Sequence, residues 1–189
     1  VRAVSPYTTV TGSFPVNTPN AAILASVNRL IVSASDLSTG GLVQGTTNAA
    51  LLKLTVRSDL NPLKWQRLSL TGLGSGVNTD VAAVKIFRDS NNDGVFQAGS
   101  DPLVTSGLDA FSAGAAELSF GALQTVTASP QSYFVAVDIK PNALPGDTVG
   151  LRISTSAAFL LDSPNLVSTS AASYPIDAGP ATVQQFANT

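Results

Sequence analysis

The sequence contains no histidine, no cysteine and no methionine. The residue types that usually ligate zinc, copper, haem iron and iron–sulfur clusters are therefore missing. Without histidine, neither a Ser-His-Asp triad nor a Cys-His pair can be assembled. Glycoside hydrolysis needs a positioned pair of carboxylates, but Glu117 is the single glutamate and the aspartates mostly fall at turn signals. We therefore expect a protein that is not an enzyme.

Charge is also scarce. Charged residues make up only 12% of the 189 residues, against about 25% in an average soluble domain. The 10 Lys and Arg residues are scattered and the net charge is −2, so no basic stripe marks a nucleic-acid surface. The longest apolar runs fall far short of the roughly 20 residues that a membrane-spanning helix needs. We expect no nucleic-acid partner and no membrane span.

The start of the chain lacks an initiator methionine, since it begins at Val1, and it lacks a charged stretch followed by an apolar one. This pattern is typical of a chain from which a signal peptide has been removed. The sequence therefore predicts an extracellular or cell-surface protein. The lack of disulfides does not contradict this location, because a domain of 189 residues can bury a sizeable core without them.

Strand signals dominate the rest of the chain, and helical periodicity is almost absent. Leu52, Leu54 and Val56 alternate as one face of a half-buried strand should. The run 133–139 is apolar on both faces apart from Asp138, which indicates a central strand. The spacing of the turn signals predicts an all-β, antiparallel sandwich of about 8–10 strands. The predicted strands are 27–35, 49–57, 64–71, 81–88, 102–106, 115–120, 132–139 and 148–155, with weaker ones at 157–161 and 166–168.

The first 22 residues differ from the remainder because proline and threonine surround one short β-capable stretch, 7–11. Proline confines such a segment to an edge strand or an extended arm. We therefore divide the chain into an N-terminal arm or edge strand, residues 1–22, and a β-sandwich domain, residues 23–189. Two interpretations of the arm stay open: an edge strand of its own sandwich, or a strand added to a neighbouring copy. Val4, Val10 and Phe14 would share one face of an extended arm.

The densest run of oxygen-bearing side chains is RDSNNDGVFQAGSDP, residues 88–102, directly behind the strand-like AAVKIF. It matches the calcium-loop pattern D-x-[DN]-x-[DN]-G through Asp89, Asn91, Asp93 and Gly94. Calcium takes six to eight hard oxygen ligands, and alternate residues of a tightly curled loop point their side chains inward. The glycine permits the sharp reversal that such a loop needs.

This loop departs from an EF-hand in two respects. Its twelfth position is Ser100, and the closing acid comes one residue later as Asp101. Pro102 directly follows and cannot continue a helix, so the loop is expected between two strands. A metal-free hairpin is the alternative, since turns favour Asp, Asn and Gly, but three carboxylates in one loop repel one another without a cation. The predicted ligands of Ca²⁺ are Asp89, Asn91, Asp93, the carbonyl of Val95, and Asp101.

With this loop in place, the chain resembles a family. VKIFRDSNNDGVFQAGSDPLV, followed by SYFVAVDIKPNALPGDTVGLRI, is similar to the immunoglobulin-like β-sandwich modules of large bacterial surface and secreted proteins. Those modules often carry a D-x-N-x-D-G loop after a strand. The resemblance extends roughly over residues 25–160 and implies an extracellular structural role. It carries over Asp89, Asn91, Asp93 and Asp101 as ligands.

These observations predict a secreted, non-enzymatic structural protein, a calcium-stabilised subunit of an extracellular filament or surface layer. Its partners would be copies of itself, joined by strand exchange through the N-terminal arm. The alternative is a carbohydrate-binding or adhesion module of a larger secreted protein, with polysaccharide as its partner. Trp65, the only tryptophan, could stack on a sugar ring, although a single tryptophan on a strand is more often a core residue.

Overall fold

A computed structural model describes residues 26–38, 40–168 and 172–186, and the described residues form almost only β-strands. None of them belongs to a helix long and apolar enough to cross a membrane. A short 3-10 helix, Ser156–Ala158, precedes the ninth of eleven strands. The strands are β1 (Arg29–Asp36), β2 (Leu42–Val43), β3 (Ala49–Ser58), β4 (Leu63–Leu73), β5 (Val81–Arg88), β6 (Ala115–Val126), β7 (Gln131–Ile139), β8 (Thr148–Ile153), β9 (Phe159–Leu161), β10 (Leu166–Val167) and β11 (Ile176–Gln184).

The strands form two sheets. The first has the order β10-β1-β3-β7-β5, and the second has the order β2-β11-β8-β4-β6 with β9 also paired to β4. The pairs β1–β10 and β2–β11 are parallel, so the prediction of a purely antiparallel fold is wrong and both sheets are mixed. The physical reason is that the two-residue strands β2 and β10 reach partners far away in sequence, through crossovers that allow parallel pairing.

One hydrophobic core lies between the sheets and takes side chains from both, which supports the predicted sandwich. Trp65 of β4 lies inside it with 0% exposure. Its ring is 4.7 Å from Phe120, 5.3 Å from Tyr133 and 5.4 Å from Phe159, measured between centroids. The pairs with Phe120 and Tyr133 are edge-to-face, and such pairs add about 0.5–1.5 kcal/mol each beyond the area they bury. Burial also raises the pKa of Tyr133 to about 12, so its phenol stays neutral.

The alternation predicted for β3 is confirmed. Leu52, Leu54 and Val56 are fully buried, whereas Arg57 is exposed. Leu51 is buried as well, with 1% exposure, because the register between β3 and β7 shifts between residues 50 and 52. Such a bulge turns one extra side chain toward the interior.

Strand β7 is buried on both faces, as its sequence predicts, and it is paired on both edges by β3 and β5. Its inner face joins the main core, while Phe134 and Ala136 on the outer face form a second, smaller cluster with Phe87 of β5. The loop that follows β5 contributes Phe96 to this cluster. The outer face of the first sheet is therefore covered by the predicted calcium loop.

The strand predicted at 102–106 is not formed, and the segment makes isolated bridges instead. Leu103 pairs with Phe87 of β5, and Thr105 pairs with Phe120 of β6. The Val104 N–H donates to the carbonyl of Ile86 at 2.9 Å, and its own carbonyl accepts from Gly121 at 3.0 Å. The prediction fails because this segment changes partner from one sheet to the other, and it thereby links the two sheets along one side.

The predicted arm, residues 1–22, lies outside the described residues, so its conformation and the domain boundary at residue 23 stay predictions.

Candidate calcium site

The loop 89–101 leaves β5 and returns beside it. The Asp89 N–H donates to the carbonyl of Ser132 on β7 at 3.0 Å, and the Arg88 N–H donates to the carbonyl of Pro102 at 3.0 Å. These two bonds fix the start and the end of the loop next to each other. The loop therefore lies between two extended segments rather than between helices, as Pro102 predicts.

Hydrogen bonds to backbone N–H groups orient the oxygen donors in the first half of the loop. Asp89 Oδ2 accepts from the Gly94 N–H at 2.8 Å, Asn91 Oδ1 from the Asp93 N–H at 3.2 Å, and Asp93 Oδ1 from the Val95 N–H at 2.8 Å. Gly94 has a φ of 76°, which is the left-handed region that glycine adopts without strain. The D-x-N-x-D-G pattern thus curls the chain around its own side chains.

Asp101 joins the loop despite its one-residue offset from the EF-hand pattern. It is only 4% exposed. Its Oδ1 accepts from the Ser90 N–H at 3.1 Å, and its Oδ2 accepts from the Gln97 N–H at 2.8 Å. The closing carboxylate therefore ties the second half of the loop to the residue that follows Asp89.

Asp89 carries the observation that points most directly to a cation. Its side chain is 1% exposed, and its Oδ1 has no hydrogen-bond partner in the described part of the chain. A buried carboxylate oxygen without a partner is costly, because its hydration is lost and nothing replaces it. The ion pairs among the described residues, which are Arg67–Glu117, Lys85–Asp138 and Arg152–Asp177, include no carboxylate of this loop.

Asp93 differs from Asp89 because it is exposed and its oxygens are satisfied. The hydrogen bond from the Val95 N–H, together with those from the side-chain amides of Asn91 and Gln97, lowers the pKa of Asp93. The side chain is therefore ionised at neutral pH. Asp93 Oδ2 accepts both side-chain amides at 2.8 Å, so a bound cation would have to displace these two contacts.

Two further residues of the loop escaped the sequence analysis. Gln97 donates its N–H to Asp101 and its Nε2 to Asp93, and so connects the two halves of the loop. The signal for it was present, because Gln97 is the ninth residue counted from Asp89, and the ninth position of an EF-hand loop often acts through a water. Ser90 holds Asp101 through its backbone N–H, a role that no local sequence pattern indicates.

The donor set fits calcium better than a transition metal, because every candidate ligand is an oxygen. The carbonyl of Val95 makes no hydrogen bond with the described residues and is free to act as a ligand. In the described ranges, however, no three or more His, Cys, Asp or Glu side chains stand together as a ready-made metal cluster. The carboxylates lie around one loop. For all of them to bind one ion, the side-chain amides of Asn91 and Gln97 would have to leave Asp93 Oδ2.

Phe96 anchors the loop on the first sheet. Its ring lies 5.1 Å from Phe87 and 5.3 Å from Phe134, between centroids. Both partners belong to the outer face of the first sheet. The main core lies on the opposite face of that sheet, where the second sheet closes it. Lys53 of β3 also reaches the loop and donates to the carbonyl of Gly94 at 3.3 Å.

Trp65 and Asp80 lie outside this site. Trp65 is fully buried and donates its Nε1–H to the carbonyl of Arg67 at 2.9 Å, so it presents no surface to a sugar ring. Asp80 lies in the turn that precedes β5, and thus at the far end of that strand from Asp89.

Comparison with known proteins finds similarity among solved structures but none to a family model or a curated protein. Among solved structures it is similar to a DUF4466 family protein from Parabacteroides merdae, with a TM-score of 0.40 and 11% sequence identity. The alignment covers 84% of this chain and 46% of that chain, so this chain spans less than half the length of that protein. A similarity at this level carries no argument about function.

Proposed function

We propose that this protein is a secreted, non-enzymatic structural subunit, an immunoglobulin-like β-sandwich that calcium stabilises and that assembles with copies of itself into an extracellular filament or surface layer. The observation that carries the proposal is the buried Oδ1 of Asp89, which has no partner among the described residues. It lies at the base of a loop whose other oxygen donors are already oriented by hydrogen bonds.

A bound calcium ion supplies positive charge at a place where three carboxylates of one loop have no ion-pair partner in the described chain. Asp89, Asn91, Asp93, the carbonyl of Val95, and Asp101 would hold it. In Asp89 one carboxylate oxygen is committed to the Gly94 N–H, which leaves the second oxygen for the ion. Extracellular calcium modules bind with a Kd of about 10⁻⁴–10⁻³ M, so millimolar calcium would stabilise the native state by about 0.4–1.4 kcal/mol.

Ordering this loop would reinforce one side of the sandwich. The loop covers the outer face of β7 through Phe96, and its end continues into Pro102–Thr105, the segment that connects β5 to β6. Calcium binding at Asp89 and Asp101 would therefore act on the packing between the sheets as well as on the loop itself.

Self-assembly is supported by an open strand edge. β6 is the outermost strand of the second sheet and is twelve residues long. Beyond its pairing with β4, it contacts the segment 102–105 only near Phe120 and Gly121. Its sequence AAELSFGALQTV contains neither lysine nor proline, the residues that commonly protect such an edge from another strand. An arm from a neighbouring copy could add there through main-chain hydrogen bonds.

Sedimentation and negative-stain electron microscopy of the full chain test this function. We expect filaments or sheets with millimolar calcium and a shift toward monomers after chelation. A chain that stays monomeric at high concentration with calcium, and that is retained on polysaccharide, would instead support the alternative of a carbohydrate-binding or adhesion module. That alternative has lost its candidate residue, because Trp65 is buried.

A further inference from the structure

Strand β5 has a buried aspartate at each end. Asp80 immediately precedes Val81–Arg88, and Asp89 immediately follows it. Asp80 is 5% exposed, and its Oδ2, like the Oδ1 of Asp89, has no hydrogen-bond partner among the described residues. At about 3.3 Å per residue, the two aspartates lie roughly 30 Å apart, so the calcium loop cannot supply the partner that Asp80 lacks. The fold therefore buries an unpaired carboxylate oxygen in a second place, where its lost hydration is not replaced.

A second carboxylate lies beside Asp80. A Cβ on Gly76 would lie 2.6 Å from Asp80 Oδ2 and 3.2 Å from Asp147 Cβ, so the two aspartates approach the same buried glycine. A separation of 2.6 Å is too short for a carbon and an oxygen that are not bonded. Only a residue without a side chain therefore lets the Asp80 carboxylate come this close to the turn 74–80.

Hydrogen bonds hold Asp147 at the same turn. Its Oδ1 accepts from Ser75 Oγ at 2.8 Å, and that hydroxyl accepts in turn from the Thr148 N–H at 3.2 Å. The Gly76 N–H donates to the carbonyl of Thr148 at 3.0 Å, which fixes the turn against the start of β8. The second oxygen of Asp147, Oδ2, makes no hydrogen bond with the described residues. Two carboxylate oxygens without partners thus lie at one turn.

Lys140 reaches this turn but does not neutralise it. Its Nζ donates to the carbonyl of Thr79 at 2.5 Å, and its N–H donates to the carbonyl of Asp80 at 2.8 Å. Both contacts are to the backbone, and the ion pairs among the described residues include neither Asp80 nor Asp147. Neighbouring carboxylates repel each other unless a cation lies between them.

We propose that Asp80 and Asp147 bind a hard divalent cation, calcium or magnesium, at the end of the sandwich opposite the calcium loop. The Oδ2 atoms of both aspartates are the charged ligands, and Ser75 is a positioning residue that holds Asp147 through its hydroxyl. Carboxylate oxygens are the ligands that these two cations prefer. In the described ranges no third acidic, histidine or cysteine side chain joins the pair, so waters complete the shell on the side of Asp147, which is only half-buried.

A cation at this place would join the two sheets. Asp80 immediately precedes β5 of the first sheet, and Asp147 immediately precedes β8 of the second. One ion that binds both carboxylates would fix the starts of these strands to each other. The inference does not depend on the calcium loop or on self-assembly, because no residue of the loop 89–101 takes part in it.

Nuclear magnetic resonance of the isotope-labelled full chain tests the proposal residue by residue. Calcium chloride and magnesium chloride are added in separate titrations, each to millimolar concentration. We expect the amide signals of Gly76, Asp80 and Thr148 to shift and to saturate with at least one of the two ions, and the responding ion identifies the ligand. The signals of the loop 89–101 are followed in the same spectra, so failure of one site is distinguished from failure of the other.

Asp80→Asn and Gly76→Ala should both abolish the shifts at the turn. Asparagine removes the charge of the buried ligand, and the methyl group of alanine would lie 2.6 Å from Asp80 Oδ2 and displace the carboxylate. Asp147→Asn, at a less buried position, is a further variant that should abolish them. Asp109→Asn is the matched control, because Asp109 also accepts a serine hydroxyl at 2.8 Å; it should keep the response.

The wild-type titration is decisive even if a variant fails to fold. Turn signals that stay unchanged with both ions overturn the proposal, whatever the loop does, and leave the space beside Asp80 to water. Shifts at the turn that persist in Asp80→Asn also overturn it, because the ion would then be held by other groups. Shifts at the turn beside an unresponsive loop support this site and count against the loop instead.

Discussion

At the scale of the residue, the carboxylates of the calcium loop divide into two kinds. Asp89 and Asp101 are buried and bind backbone N–H groups at the two ends of the loop. Asp93 is exposed and sits at the top, where it accepts hydrogen bonds from the loop itself. The buried pair therefore shapes the two ends of the loop, whereas Asp93 shapes its top and is the carboxylate that solvent reaches.

Asp93→Ala should abolish the stabilisation by calcium. For the wild type, chelation with EDTA should lower the melting temperature by a few degrees, because about 0.4–1.4 kcal/mol corresponds to a shift of that size in a chain of this length. The variant should melt at one temperature with or without EDTA. Asp109→Ala, outside the loop, serves as the control and should keep the shift. Differential scanning calorimetry provides the measurement, and a wild-type curve that EDTA leaves unchanged would refute calcium binding at this loop.

The effect of Asp89→Asn on the stability of the protein should change sign when calcium is added. Asparagine keeps an oxygen for the Gly94 N–H but removes the buried charge whose Oδ1 has no partner among the described residues. Without calcium we expect the variant to be as stable as the wild type or more stable, since a buried unpaired charge is costly. With millimolar calcium it should be the less stable protein, by up to about 1.4 kcal/mol. Urea denaturation in both buffers measures the two differences, and equal destabilisation in both would contradict the role of Asp89.

At the scale of the element, the strands that escaped the sequence analysis share a physical cause. β11 contains Gly179 and Pro180 in its interior, a composition that argues against a strand paired on both sides. The register between β8 and β11 shifts between Ala178 and Ala181, and this irregularity accommodates the proline. β2 is two residues long, too short for any alternation to be read from it, whereas β10 falls within the weaker strand predicted at 166–168.

The elements that the sequence did predict are those with a clear alternation or, for β7, a run that is apolar on both faces. β5 agrees with its predicted bounds, and β3, β4 and β7 differ from theirs by at most two residues at an end. The loop residues Asp89, Asn91, Asp93 and Asp101 follow from a local pattern, so their proximity was predictable. The ion pair between Lys85 of β5 and Asp138 of β7 was not, because it depends on the register of two strands that are far apart in sequence.

The pairing of β8 with β11 provides a test of pH dependence. Arg152 donates from Nε and Nη2 to the two carboxylate oxygens of Asp177, at 2.7 and 2.8 Å. This hydrogen bonding lowers the pKa of Asp177 from its ordinary value of 3.8. Because the folded pKa lies below the unfolded one, the contribution to stability is complete above pH 3.8 and is lost as the pH falls through the lowered value.

Asp177→Asn should therefore be less stable than the wild type at neutral pH, and the difference should shrink as the solution is acidified below pH 3.8. The effect should be small and salt-sensitive, since both side chains are more than a third exposed. Urea denaturation at several pH values measures it. A difference that grows on acidification would contradict this reading of the ion pair.

At the scale of the whole molecule, the edges of the two sheets are not equivalent. The segment 102–105 occupies part of the space beside β5 and β6, whereas most of the outer edge of β6 has no strand partner in the described chain. If the arm of one copy adds to that edge of the next copy, the contact joins two different surfaces of the protein. Such a heterologous contact builds an open filament unless the rotation between successive copies closes a ring.

Deleting residues 1–14 should leave a folded sandwich that no longer assembles. We expect an unchanged far-ultraviolet circular dichroism spectrum, because the described core lies wholly outside the deleted segment. Sedimentation with calcium should show monomers. A triple substitution of Val4, Val10 and Phe14 by serine is the matched control for chain length and should have the same effect, because these side chains would fill pockets on the partner. Filaments formed by the truncated chain would rule out the arm.

The two parallel pairs have a consequence for the order in which this chain can fold. β1 pairs with residues 166–167 and β2 pairs with residues 183–184, so each sheet includes a contact between an early segment and a late one. Such non-local pairings slow folding, because the chain loses loop entropy before the contact forms. A chain that emerges N-terminus first, from a ribosome or through a narrow channel, would be unable to complete either sheet until nearly all of it had appeared. Until then each sheet would lack one of its strand pairs.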